Sequence, residues 1–194
     1  GKKRFPDISV DMMDAVDKGK SVQFNQEEAL KPAGWPLLNF IMDSRTGLGR
    51  YRGFRVPNYE LMMSLINYCQ RYDIEYILQH PDVKERVDLF LEYQEPAKEQ
   101  IKRCTTVHGN LAVIDCCEEE QIYVANRFLI YALYPECNIS MHVLLGCAEQ
   151  NTVFAVGKSI FNSTSKTNIG ELMLTYGGAG HRNAGTCQSD NALA

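Results

Sequence analysis

Residues Gly177-Gly178-Ala179-Gly180-His181-Arg182-Asn183-Ala184-Gly185 put four glycines, an imidazole and a guanidinium into one short stretch. Glycine allows a ligand to reach the backbone, where N–H groups can bond phosphate oxygens. His181 and Arg182 add side-chain donors beside it. The chemistry this suggests is anion binding rather than proton abstraction. A turn alone needs one or two glycines, and packing alone rarely sets a histidine in a glycine-rich cradle. Gly178, Gly180, His181 and Arg182 are therefore the first candidates for holding a phosphate.

Other chemistry-bearing residues carry weaker signals. Gly157-Lys158-Ser159 looks like the tail of a phosphate-binding P-loop, but Thr152 stands where that motif needs its first glycine. Gly178-x-Gly180 fails the dinucleotide pattern, because Asn183 replaces the last glycine. Lys158 reads as a residue projecting from a strand. Between Asp43 and Arg55, four arginines (Arg45, Arg50, Arg52, Arg55) alternate with Tyr51 and Phe54. That loop is either an anionic-ligand pocket with a stacking surface or a set of arginines paired with the acidic surplus elsewhere. Asp43 closes an apolar run, so its half-buried carboxylate must cap something or bind a cation. His80, His108 and His142 lack local partners and read as structural. The runs Glu118–Glu120 and Glu95–Glu99 read as solvated faces.

Composition narrows the partners. At 194 residues with net charge -4 and a pI near 5.6, the chain is not built to wrap duplex DNA on a broad basic face. No apolar run approaches the roughly 20 residues that span a bilayer, and no segment reads as a signal peptide. The 7 cysteines are odd in number and include adjacent Cys116 and Cys117, which suggests reduced thiols and a cytoplasmic setting. No Cys-x-x-Cys pair occurs, so structural zinc is not expected. The chain opens on Gly1-Lys2-Lys3 without methionine, as a piece of a longer protein would.

The elements that would position these residues form an α/β pattern. A short helix is expected around Met12, Met13 and Val16. The run WPLLNFIM, Trp35 to Met42, suits a buried strand or a core helix, and periodicity does not separate the two. Asn58 can cap a helix with an apolar face of Leu61, Met62, Leu65, Ile66 and Cys69. Asp82 with Glu85 opens another through Val83, Val87, Phe90, Leu91, Ala97 and Ile101, which Pro96 should kink or divide. LAVIDC reads as a strand and IYVANRFLIYAL as a helix. ISMHVLLG and TVFAVGKSIF read as strands about the turn AEQN. Asn168 with Glu171 opens a short helix, IGELMLTY, that Gly177 closes in the left-handed conformation.

The capped IGELMLTY helix, the Gly-Gly-Ala-Gly-His stretch after it and the strand bearing Gly157-Lys158-Ser159 resemble the C-terminal substrate-binding domain of the DHH phosphoesterases. That family, named for an Asp-His-His motif, includes oligoribonucleases, exopolyphosphatases, RecJ-like exonucleases and phosphatases acting on 3′-phosphoadenosine-5′-phosphate. Its pattern is Gly-Gly-Gly-His; Ala179 departs from it, and the Gly180-His181 pair remains. FIMDSRTGLGRYRGFRVPN is similar to the last stretch of the family's catalytic domain. Asp43 matches a metal-ligating aspartate there, although Ser44-Arg45-Thr46 departs from the usual Thr-Gly. From AVDKGKS onward the chain resembles the exopolyphosphatase-like and oligoribonuclease-like branch.

The resemblance implies an α/β protein in three parts. These are the end of the catalytic domain over 1–80, a linker helix over 81–104 and a small substrate-binding domain with a mixed sheet over 105–194. It implies a two-metal phosphoesterase using manganese, with magnesium as the alternative, to which Asp43 would give one carboxylate. His181, Gly178, Gly180, Arg182 and Lys158 would hold a substrate phosphate, and Arg50 and Arg52 would line the cleft wall. The substrate would be a short RNA or DNA oligonucleotide, a phosphonucleotide or polyphosphate. The protein would work away from membranes and form a homodimer through the catalytic domain. The family's other metal ligands, including the Asp-His-His itself, do not occur in this chain, so by itself it is expected to be inactive. The competing expectation is a non-catalytic nucleotide-binding or regulatory module.

Overall fold

The computed structural model describes residues 25–51, 53–146 and 149–190. The helix expected at Met12, Met13 and Val16, and the start of the family resemblance at AVDKGKS, lie outside them. The chain divides into two compact units, Gly1–Glu95 with Val124–Arg127, and Pro96–Tyr123 with Phe128–Ala194.

The first unit is helical over its described residues. Helix α1 (Gln26–Leu30) starts with a capping box between Asn25 and Glu28. Helix α2 (Gly34–Met42) resolves the WPLLNFIM ambiguity, and Pro36 is tolerated because first-turn N–H groups have no intrahelical acceptor. It buries Leu37, Leu38, Phe40 and Ile41, a broad apolar surface at helical spacing. The run looked continuous because the core surrounds most of the helix. After it, Asp43 caps a 3₁₀ turn (Ser44–Thr46), and Gly47, at φ 95°, leads into a second one (Leu48–Arg50).

Helix α3 (Asn58–Arg71) buries Leu61 and Leu65, and α4 (Ile74–Gln79) is capped by Asp73. Asn58 is not the cap expected of it. Pro57 holds that position, and the Asn58 amide oxygen instead accepts from Arg86 Nε and Nη2 at 3.1 and 3.0 Å. Helix α5 (Pro81–Glu92) likewise starts two residues earlier than an Asp82 cap would place it. His80 is its N-cap, Pro81 its first residue and Asp82 a first-turn carboxylate. The stretch 81–104 is two helices, α5 and α6 (Gln94–Cys104), parted at Tyr93. The break precedes Pro96 because a proline ring clashes with the carbonyl four residues upstream, which here is that of Glu92. Phe40 and Phe90 stack at 6.3 Å between centroids in the core.

The second unit carries a six-stranded sheet in the order β1-β2-β3-β4-β6-β5. Its strands are β1 (Thr105–His108), β2 (Leu111–Asp115), β3 (Ile139–Leu145), β4 (Asn151–Lys158), β5 (Ala179–His181) and β6 (Ala184–Asp190). The β2–β3 pair is parallel and the other pairs antiparallel, so the sheet is mixed and the class α/β, as the sequence indicated. Helix α7 (Leu129–Leu133) anchors one face: Tyr131 Oη contacts Ser140 Oγ at 2.7 Å and donates to Gly157 O at 2.8 Å. Helix α8 (Ile169–Leu174) covers the other, where Ile169 and Met173 pack with Val156 and Cys187.

The helix expected over IYVANRFLIYAL is confined to Leu129–Leu133. Before it, Ala125 N–H donates to Thr46 O at 3.2 Å and Asn126 Nδ2 to Ala29 O at 2.9 Å. Tertiary acceptors thus take the groups that a longer helix would have paired internally. Glu119 also departs from a solvated face. It accepts from Arg103 Nε and Nη2, from Gln100 Nε2 and from the Cys104 thiol. These bonds, that of Arg103 foremost, pull its carboxyl down to about 2. Among the described residues, no helix is long and apolar enough to cross a membrane.

Candidate substrate-binding site

The glycine-rich stretch is built around the end of α8. Asn168 caps the helix by accepting from Glu171 N–H at 3.4 Å. At the other end Gly178 N–H donates to Met173 O at 2.9 Å and Gly177 N–H to Leu174 O at 3.2 Å, with Gly177 at φ 70°. That pair of bonds is a Schellman closure, and its left-handed residue has to be free of a Cβ clash. The chain then forms β5, turns through Arg182 and Asn183, and returns as β6 with His181 opposite Ala184.

The hairpin tip is tied down on two sides. Lys158 N–H, at the end of β4, donates to Asn183 O at 2.9 Å, and Ile169 N–H, at the start of α8, donates to Arg182 O at 3.2 Å. Lys158 Nζ donates to Thr167 O at 2.8 Å, and Asn183 N–H donates to His181 Nδ1 at 3.2 Å. Three sequence-predicted residues, Lys158, His181 and Arg182, are therefore brought to one end of the sheet. His181 and Arg182 are exposed there.

Gly178 and Gly180 have a packing reason to lack side chains. A Cβ on Gly178 would meet Cys187 Cβ at 2.6 Å and the Thr186 carbonyl oxygen closer still. On Gly180 it would meet Gly185 Cα at 2.5 Å and Ala184 O at 2.6 Å. The glycines let β5, β6 and α8 approach closely. The Gly180–Gly185 cross-strand pair was visible in the sequence only as repeated glycine, because register depends on the turn position.

The first unit holds the other candidates. Asp43 accepts from Arg45 N–H at 3.0 Å, from Arg45 Nε at 2.7 Å and from Arg45 Nη2 at 2.8 Å. Arg127 Nε lies 3.6 Å from its second oxygen. Burial pushes the Asp43 carboxyl up, but the Arg45 hydrogen bonds and the Arg45 and Arg127 charges outweigh it and hold the group below its ordinary value. Arg127 was not singled out in the sequence, where it fell within the run read as a helix. Arg55 N–H donates to both Glu85 oxygens, at 3.0 and 3.1 Å, and Arg55 Nε lies 3.4 Å from Asp82. Arg52 and the Arg50 side chain lie outside the described residues. Tyr51 and Phe54 pack at 6.2 Å between centroids, and the Arg86 guanidinium covers the Phe54 ring at 4.1 Å.

The metal implied for Asp43 can be tested against these contacts. Its two oxygens are engaged by one guanidinium, and among the described residues no group of three or more His, Cys, Asp or Glu side chains converges. A single carboxylate held by a guanidinium does not by itself make a two-ion centre, and no step is routed through one below. Of the histidines read as structural, His142 lies on β3, where burial pushes it down to about 4. The His80 ring packs at 4.5 Å from that of Tyr68.

No family model matches the chain, and neither does any curated protein. Among solved structures it is similar to a pGpG-specific phosphodiesterase, PggH from Vibrio cholerae, with 58% identity over 99% of this chain and a TM-score of 0.83. The chain spans 64% of the length of that enzyme. The alignment takes in both units, from the Asp43 turn to the His181 hairpin. That identity, with the Gly-His motif in place after its capped helix, supports a relationship to the DHH-family phosphoesterases.

Proposed function

We propose that this chain is part of a phosphoesterase that cleaves a short oligonucleotide, and that its second unit holds a substrate phosphate. The observation that carries the reading is that His181, Arg182 and Lys158 lie at one end of the sheet, in a chain 58% identical to a pGpG phosphodiesterase. That relative favours a dinucleotide over polyphosphate, and with it the oligonucleotide-cleaving side of the family over the exopolyphosphatase-like side.

Cleaving pGpG adds the elements of water across one phosphodiester: hydroxide to phosphorus and a proton to the departing ribose oxygen, leaving two GMP. Charge builds on the non-bridging oxygens as phosphorus is attacked, and fixed donors aimed at them lower the barrier. His181 and Arg182 would instead donate to a terminal phosphate of the substrate from an exposed turn. The Lys158 ammonium, held on Thr167 O, adds positive charge nearby. Together they fix one phosphate so that the ester to be cut is positioned. A manganese or magnesium requirement would draw its remaining ligands from outside the described residues. A cytoplasmic setting and a homodimer through the first unit belong to the same reading; Cys104, Cys116, Cys137 and Cys187 are free thiols, which suits a reducing compartment.

Calorimetric titration of this chain with pGpG, 3′-phosphoadenosine-5′-phosphate and polyphosphate tests the reading. We expect pGpG to bind without being cleaved. His181→Ala should weaken binding about tenfold, the worth of one hydrogen bond to a charged group. Equal affinities for wild type and His181→Ala would overturn the assignment of the phosphate to this hairpin, and cleavage of pGpG would overturn the inactivity of the chain by itself.

A further inference from the structure

The end of α6 brings two thiols of the second unit together. Cys104 is the last residue of that helix, and Cys116 follows β2 directly. Cys104 stands one residue before Thr105 and Cys116 two residues after Ile114, the outermost pair of the β1–β2 ladder. Opposed Cα atoms of an antiparallel ladder lie about 4.5–5.5 Å apart, and a one-residue offset lengthens that to roughly 6 Å. A disulfide spans about 4.4–6.8 Å between Cα atoms. The side chains meet as well. The Cys116 thiol is hydrogen-bonded to the Cys104 sulfur, and Cys104 Sγ donates to Glu119 Oε1 at 3.3 Å.

The pair is not the edge of a metal site, because among the described residues no three His, Cys, Asp or Glu side chains converge. The neighbouring thiol does not compete for Cys104 either. Cys117 N–H donates to Asp115 Oδ1 at 3.0 Å, and the Cys117 thiol is hydrogen-bonded to the same carboxylate. Cys116 is fixed on both sides: its N–H donates to Val143 O at 2.9 Å, and its carbonyl accepts from Glu119 N–H at 3.2 Å. Cys116 is buried and Cys104 half-buried. An oxidant therefore reaches Cys104 first, and Cys116 is placed to resolve the product.

We propose that Cys104 and Cys116 are a modification site that closes to a disulfide on reaction with a low-molecular-weight disulfide such as oxidised glutathione. The Cys104 thiolate attacks one sulfur of the reagent, forms a mixed disulfide and expels the first thiolate. The Cys116 thiolate then attacks the Cys104 sulfur and expels the second. Two protein thiols are oxidised, the reagent is reduced to two thiols, and the two protons pass to those leaving groups. The new bond ties the base of the β1–β2 hairpin. It also removes the Cys104 donor from Glu119, which keeps Arg103 and Gln100. Burial foremost, with the Glu119 carboxylate, pushes the Cys104 thiol up, and burial pushes Cys116 up to about 12. Closure is therefore slow at neutral pH and quickens as pH rises, because the thiolate is the attacking species. A reducing setting keeps the pair open.

The test incubates the whole chain, Cys104→Ser, Cys116→Ser and Cys117→Ser with oxidised glutathione at pH 7 and pH 8. Remaining thiols are alkylated, and digests are mapped by mass spectrometry without reductant. Wild type and Cys117→Ser should both yield a Cys104–Cys116 cross-link, formed about tenfold faster at pH 8 than at pH 7. The other two variants should yield none. In urea above the unfolding midpoint, the preference of Cys104 for Cys116 over Cys117 should vanish, since the fold is what orders them. A mixed disulfide that persists at Cys104, a cross-link to Cys117 in the folded chain, or no cross-link at either pH overturns the proposal. An undiminished preference for Cys116 in urea overturns it too. The wild-type cross-link decides the matter even where a serine variant fails to fold.

Discussion

Asn183 N–H donates to Nδ1 of His181 across the turn that joins β5 to β6, at 3.2 Å. A ring nitrogen that accepts carries no proton in neutral imidazole, so the proton of His181 sits on Nε2. The turn thereby selects the tautomer whose Nε2 is left as the donor. Nitrogen-15 NMR of the ligand-free chain at pH 8 should show an unprotonated Nδ1 and a protonated Nε2 for this residue. The reverse pattern would remove the turn's hold on the ring.

The glycines separate packing from binding. Gly180→Ala puts a Cβ 2.5 Å from Gly185 Cα and 2.6 Å from Ala184 O, an overlap costing about 2 kcal/mol or more. Gly177→Ala meets no atom within 4 Å but must adopt φ 70°, at about 1 kcal/mol. Urea denaturation should therefore rank Gly180→Ala as the less stable of the two. If Gly180→Ala keeps wild-type stability yet loses pGpG, close approach of a ligand is what demands the glycine.

His142 gives the fold a pH dependence. Burial lowers it from 6.5 to about 4, so between those values the unfolded chain binds a proton that the folded chain does not. Its effect is absent above pH 6.5, and stability falls as pH drops through the window toward 4. The full shift corresponds to about 3 kcal/mol, reduced to about 2 for a ring that is only half-buried. His142→Leu should flatten the difference between denaturation midpoints at pH 7 and pH 4.5. An unchanged difference would assign it to other groups.

Arg86 is the most consequential cation outside the candidate site. Its side chain is 1% exposed, and it donates to Asn58 Oδ1, Asp82 O, Glu85 Oε1 and Val56 O. It ties the loop 53–57 and the start of α3 to α5. Arg86→Ala leaves those acceptors without their donor and should cost about 3 kcal/mol or more. Arg86→Lys should recover little, since an ammonium lacks the planar fork. A thermal melt of the lysine variant matching wild type would contradict this.

Much of the second unit was legible from local rules. The strands read over LAVIDC, ISMHVLLG and TVFAVGKSIF occur, the last ending at Lys158 and not at Phe161, and the Asn168 cap and the Gly177 stop depend on neighbours in sequence and occur as read. The misreadings at Asn58, Asp82 and the 122–128 stretch have two causes, a neighbouring proline at Asp82 and distant partners at the other two. All three had good local signals, but other groups claimed their polar atoms or shifted their boundaries. Arg86 took the Asn58 oxygen, Pro81 set the start of α5, and Thr46 and Ala29 took the hydrogen bonds of Ala125 and Asn126.

The candidate site divides the same way. Residue type and spacing alone determined that the 177–185 stretch follows a capped helix and its glycine stop, because a cap and a left-handed glycine are short-range devices. Three matters were decided only by tertiary structure. Lys158 stands beside the hairpin because β4 pairs with β6. Gly178 and Gly180 are fixed by the backbone that packs on them. Arg127 joins Arg45 on Asp43 across more than eighty residues of chain. Register, close approach and long-range charge pairing depend on which segments meet, and no local pattern encodes that meeting.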